Sequence, residues 1–199
     1  MNFGGHIRDL GPVGSELLDA VRRKLAAEVS QRPDFWDVYD DQKPNKYPVF
    51  KKTTQHVVFS FPVTFKSAAE SRFYPVWNEG WREVIEPLMA AVTPYYGYSD
   101  GRSNRIMLAK LLAGAVIPKH VDEDESSAVP HKIHVPLFTY PEVEFWEADQ
   151  TYHLDEGRAY EVNNRILHGG QNRSAHDRVH LIFDYFSSRA LAERAATQG

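Results

Sequence analysis

The chain has 199 residues, 42% of them hydrophobic and 25% charged, with a net charge of −4, which fits one globular domain with a sizeable core. The acidic balance and the lack of a Lys/Arg-rich block argue against nucleic-acid binding, and no apolar run reaches the roughly 18 residues that a membrane helix needs. With no cysteine there is no disulfide, thiolate nucleophile or iron–sulfur cluster, so any metal must be held by nitrogen and oxygen donors.

In chain order, the opening MNFGGHIRDLGPVG has no basic region followed by an apolar stretch. No secretory signal is expected, and a cytoplasmic location is. Ser15 reads as the N-cap of a helix in which Leu17, Leu18, Val21, Leu25 and Val29 recur at helical spacing. Prolines and charges follow from Arg32 to Pro48, and HVVFSFPVTF (56–65) reads as a strand. A second helix is expected over 79–92, with Trp81, Val84, Ile85, Leu88 and Val92 on its apolar side and Pro87 as a source of a kink. The four tryptophans read as core.

Beyond residue 100 the pattern becomes strands separated by turns: 105–112, 131–140, 143–148, 158–163 and 178–186. Asp155-Glu156-Gly157 and His168-Gly169-Gly170 read as turn signals. Strands at roughly 8–12-residue spacing suggest a sandwich or barrel. The expected organisation is one mainly β domain over 1–199. A helical and mixed part spans 1–100 and packs on one sheet, the β core spans 101–187, and a tail with a short helix spans 188–199.

The chemistry centres on GAVIPKHVDEDESSAVPHKIHVPL, Gly114 to Leu137. With nine His and 27 acidic residues, a His-x-acid pair should arise by chance about once. It occurs twice, as His120-Val-Asp122 and His153-Leu-Asp155. Two His and one carboxylate on one face can hold a metal and leave positions open for ligands. In a barrel, several strands must be threaded between the pair and the distant His, which takes on the order of 30 residues. His168 lies 48 residues after His120, whereas His153 has only 15, 23 or 27 residues to His168, His176 or His180. Asp155 is more simply a turn residue, so the first pair is favoured.

The last strand alternates. Val179, Leu181, Phe183 and Tyr185 share one face; Arg178, His180, Ile182 and Asp184 share the other. Likewise Ile133, Val135 and Leu137 oppose Lys132, His134 and Pro136. Two strands with one apolar and one polar face suggest an interior cavity with cationic anchors. Such an interior suits an anionic ligand, and Arg grips carboxylates bidentately. A cupin-like metal-dependent isomerase or hydrolase, or a non-catalytic metal-binding barrel, satisfies the same residues.

Taken together, IPKHVD, KIHVPL, EGRAYEVNNRILHGGQN and RVHLIFD resemble the aspartyl/asparaginyl β-hydroxylase family, including its small bacterial proline-hydroxylase-like members; the likeness spans about residues 105–186. The resemblance implies a double-stranded β-helix (jelly roll) core. It also implies an Fe(II)- and 2-oxoglutarate-dependent dioxygenase that hydroxylates an unactivated C–H with O2 and releases succinate and CO2. By position His120, Asp122 and His168 match the iron ligands, and Arg178 matches the arginine that binds the far carboxylate of 2-oxoglutarate. Lys132 falls where the family often has a cosubstrate-contacting Arg, keeping the charge without the fork. His134 matches a histidine near the cosubstrate carboxylates. Some members carry Gly at the carboxylate ligand; Asp122 here argues against halogenation, which needs that position vacated. The expected substrate is an amino-acid, peptidyl or related small molecule. Asn164, Gln171, Asn172 and Glu123 can hydrogen-bond it, with turn and loop roles equally open to them.

Overall fold

The computed structural model describes residues 4–44 and 46–197, with the side chain of Val49 also outside the description. The first strand, β1 (Ile7–Pro12), leads into α1 (Ser15–Gln31) and α2 (Phe35–Gln42). The hairpin β2 (Thr54–Thr64) and β3 (Ser67–Phe73) precedes α3 (Arg82–Val92). The chain then runs through β4 (Gly101–Leu111), β5 (Val116–His120), β6 (His131–Phe138), β7 (Val143–Glu147) and β8 (Gln150–Tyr152). It ends with β9 (Arg158–Val162), β10 (His168–Asn172), β11 (Arg178–Ser187) and α4 (Ser188–Thr197).

These strands form two antiparallel sheets, ordered β1-β9-β6-β11-β4-β2-β3 and β5-β10-β7-β8. This is the mainly β, double-stranded β-helix architecture that the family resemblance implies. The large sheet also draws β1, β2 and β3 from the first hundred residues, so β structure extends well before residue 101. Among the described residues, no helix is long and apolar enough to cross a membrane.

The helices cover one face of the large sheet. Leu18, Val21 and Leu25 of α1, Ile85, Leu88 and Met89 of α3, and Trp81 pack against Ile133, Val135, Leu137, Val179, Leu181 and Phe183. Each such side chain taken out of water contributes about 1.5–3 kcal/mol. The alternation of β6 and β11 therefore does two jobs: one face closes the core, and the other is free to line a cavity.

Two local expectations change. Ser15 is the first helical residue, and Gly14 holds the cap position, its carbonyl accepting from the Leu17 and Leu18 N–H groups. The Val13 N–H is already tied to Gly157 O (2.8 Å), which sets the chain's entry into α1 one residue early. Pro87 lies inside α3 on its exposed side. The His168-Gly169-Gly170 segment is a strand rather than a turn. A Cβ on Gly169 would sit 2.7 Å from Ile117 O, and one on Gly170 2.6 Å from Glu144 O. Both glycines are needed because three backbones converge there.

Candidate metal and cosubstrate site

His120 ends β5 and His168 begins β10, and the two are directly opposite in the strand pairing. Four strands, β6 to β9, thread between them in sequence. The register of β5 slips by one residue between Ile117 and His120. Such a bulge re-aims the side chain that follows it. The pairing brings the imidazole centroids to 4.4 Å. Asp122 lies just beyond the strand end, its Oδ1 3.8 Å from His120 Nε2. One donor atom from each of His120, Asp122 and His168 lies within 4.8 Å of the others, and among the described residues no other such group occurs.

The two imidazoles are oriented in the same way. His120 Nδ1 donates to Pro118 O (2.9 Å) and His168 Nδ1 to Ile166 O (3.0 Å). A proton held on Nδ1 leaves the Nε2 lone pair free for a metal. Asp122 Oδ2 accepts from Asn164 Nδ2 (3.0 Å) and lies 3.6 Å from Lys132 Nζ. Although burial opposes ionisation, the Lys132 charge and these neighbours hold its carboxyl well below the usual range. The donor set is thus two imidazole Nε2 atoms and one carboxylate, as an open-sided divalent metal site requires.

His120, Asp122 and His168 line a cavity between the sheets, together with Lys132 and His134 of β6 and Arg178, His180 and Ile182 of β11. Arg178 is buried, and among the described residues no carboxylate pairs with it; its Nε has no hydrogen-bond partner. Burial alone pulls the guanidinium down to about 10, so it remains charged at neutral pH. A buried, unpaired cation is costly unless a ligand supplies the counter-charge. His134 and His180 flank it with Nδ1 atoms 3.3 Å apart, and burial pushes both well below the ordinary histidine range.

Other expected site residues take different places. Lys132 lines the cavity, and its Nζ is engaged by Asp184 (3.2 Å) as well as by Asp122. Asn164 is buried behind the triad and holds Asp122. Gln171 bonds Glu144 (2.7 Å). Asn172 ties down the carbonyls of Leu111, Leu112 and His176. Glu123 is exposed and outside the cavity lining. His153 Nε2 lies 3.8 Å from Asp155, and among the described residues no third donor joins them.

The strand pattern gives no hint of Arg105. It is the extra residue of a bulge in β4, with φ +45°, opposite Phe183 and Asp184 of β11. The bulge turns its buried guanidinium toward Ser126 (2.8 Å), Ser127 (2.5 Å), Asp124 (3.3 Å) and Asp184 (3.3 Å). The acidic stretch after Asp122 is therefore a pinned wall, with Asp124 and Arg105 both lining the cavity.

Solved structures share this architecture at low identity. A 2OG-Fe(II) oxygenase family oxidoreductase from Burkholderia pseudomallei is 14% identical with a TM-score of 0.55, covering 85% of this chain and 89% of its own. A prolyl hydroxylase from Trichoplax adhaerens, in complex with a hypoxia inducible factor peptide fragment, is 11% identical with a TM-score of 0.64, covering 95% and 87%. HygX from Streptomyces hygroscopicus, with nickel, 2-oxoglutarate and hygromycin B bound, is 14% identical with a TM-score of 0.51, covering 92% and 83%. No curated protein matches the chain by sequence. The class that this fold and its His-Asp-His cluster define is the Fe(II)- and 2-oxoglutarate-dependent oxygenases. Residues 89–188, half of the chain, match the family model for aspartyl/asparaginyl beta-hydroxylase. The protein belongs to that family, and it is a hydroxylase using Fe(II), 2-oxoglutarate and O2.

Proposed function

We propose that the protein hydroxylates an unactivated C–H of an amino-acid, peptidyl or related small-molecule substrate, with His120, Asp122 and His168 holding iron and Arg178 binding 2-oxoglutarate. The observation that carries the reading is Arg178, a buried cation that no carboxylate pairs among the described residues, in the cavity that the His-Asp-His cluster lines. A hydrolase or isomerase built on the same three donors has no use for it. When bound together, iron, 2-oxoglutarate and dioxygen supply the C–H oxidation, with succinate and CO2 as co-products.

The chain's own residues prepare that chemistry. Pro118 O and Ile166 O fix the imidazole tautomers, and Asn164 and Lys132 keep Asp122 ionised and aimed. Arg178 fixes the far carboxylate of the cosubstrate, His134 lies beside it, and the apolar walls Ile182, Phe145 and Met107 exclude water. Lys132 in this reading supports the metal carboxylate and reaches the cosubstrate only secondarily. An intact Asp122 opposes halogenation.

Anaerobic addition of Fe(II) and 2-oxoglutarate should give the weak visible charge-transfer band of the chelate, and admission of O2 should release succinate. Arg178→Ala should abolish the band while leaving metal binding intact. Loss of neither band nor succinate in Arg178→Ala would overturn the assignment. A substrate screen read by succinate, with mass spectrometry for a one-oxygen gain, identifies the acceptor.

A further inference from the structure

Resting on that reading, we infer that the substrate enters the cavity through an uncharged hydrocarbon segment, held by an aromatic mouth of Tyr47, Phe50, Phe61 and Phe65, and not as a free zwitterionic amino acid.

The charges that line the cavity are already closed in pairs. Arg105 is held by Asp124 and Asp184, both at 3.3 Å. Lys132 is held by Asp184 and Asp122 at 3.2 and 3.6 Å. Glu144 is engaged by Arg173 at 3.0 Å. Arg178 alone lacks a protein partner among the described residues, and the cosubstrate takes it. A metal dication and a cosubstrate dianion add no net charge. A substrate ammonium or carboxylate would therefore enter without a free counter-ion and would have to break an existing pair.

What the cavity offers instead is rings. Tyr47 lies 6.4 Å from Phe50 and 6.1 Å from Phe65, and Phe65 lies 5.9 Å from Phe61. Phe50 stands edge-on to His120 at 5.6 Å, so the group reaches a metal ligand. Arg105 lies over the Phe61 ring at 5.0 Å, with its charge already taken by Asp124 and Asp184. All four rings line the same cavity, and Tyr47 and Phe65 are 42% and 44% exposed at its mouth. Large apolar side chains left in water around a cavity mark a binding surface.

An uncharged hydrocarbon segment can come from a peptide residue or from an acyl chain. The test titrates three probes into protein loaded with Zn(II) and 2-oxoglutarate, by isothermal titration calorimetry: N-acetyl-L-phenylalaninamide, octanamide and free L-phenylalanine. At least one uncharged probe should bind tenfold or more tightly than free phenylalanine; which one does so tells the peptidyl source from the acyl source. The Tyr47→Ala/Phe65→Ala double variant should weaken that probe at least fivefold and leave 2-oxoglutarate affinity unchanged, a readout that a misfolded variant fails. Free phenylalanine binding as tightly as the capped probes, no binding of either uncharged probe, or an unaffected double variant would each overturn the inference. If 2-oxoglutarate itself does not bind, the proposed function fails instead.

Discussion

Replacing Arg178 with Met removes a charge that the fold carries at a cost. Burial pulls the guanidinium well below its ordinary range, to about 10, a penalty on the order of 3 kcal/mol at roughly 1.4 kcal/mol per pH unit. The group is charged in both the folded and unfolded chain at neutral pH, so the whole penalty weighs on the folded state. It is relieved only as pH rises above about 10, where the folded chain releases this proton before the unfolded one does. Arg178→Met keeps most of the volume and should therefore stabilise the ligand-free protein by about 1–3 kcal/mol, or about 2–4 °C in Tm per kcal/mol for a chain of this size. With 2-oxoglutarate at a hundredfold over its Kd, the wild type should gain about 2.7 kcal/mol, and the variant nothing. Thermal melts of the Zn(II)-loaded protein with and without 2-oxoglutarate measure both effects, and adding the ligand should close or reverse the gap between the two proteins. An Arg178→Met protein that melts below the ligand-free wild type and is still protected by 2-oxoglutarate refutes the account.

Gly169→Ala should weaken zinc binding and cost about 1–3 kcal/mol of stability, because the new Cβ meets a backbone carbonyl between the two strands that carry the imidazoles; metal titration and urea unfolding check both. Asn164→Ala should lower metal affinity about 10–100-fold with the fold retained, since it frees Asp122 Oδ2; competition with a chromogenic chelator measures this. His56, His134 and His180 are all depressed by burial. The unfolded chain binds protons at these positions below about pH 6.5 while the folded chain does not, so stability is present above that pH and falls on acidification. Urea midpoints from pH 8 to pH 5 should fall, and His180→Gln should make the decline shallower; an unchanged slope speaks against a neutral buried His180.

The strands that carry most of the packing were legible because their residues obey a single demand. In β11 and β6, Val, Leu, Ile and Phe alternate with the cavity face, and the period of two is plain. The strands that carry the two candidate metal-ligand histidines were not. β5 is Val-Ile-Pro-Lys-His, an edge strand bearing a proline and a bulge, and β10 is His-Gly-Gly-Gln-Asn. Their residues serve ligation and close backbone approach, so they lack the β-branched bulk that marks a strand. The pair His120 and Asp122 could still be matched to His168 because threading four strands requires a minimum length, which chain arithmetic supplies. Arg105 could not be found that way. A bulge breaks the alternation, and nothing in RIMLAKLL marks where the extra residue sits. Nor did the sequence distinguish Asn164, which reaches the Asp122 carboxylate, from Asn172, which staples two loops; both are asparagines near the distal histidine, and only tertiary geometry separates them.

The aromatic mouth comes from the chain between Tyr47 and Phe65, whereas the family likeness begins at residue 89. The proposed reaction centre and the selecting surface are therefore written in different stretches of the gene. Substitutions in the earlier stretch leave the donor atoms of His120, Asp122 and His168 untouched, so acceptor preference can be altered there independently of the proposed metal site. Directed evolution toward a new acceptor should draw its libraries from 47–65 and leave 116–184 alone.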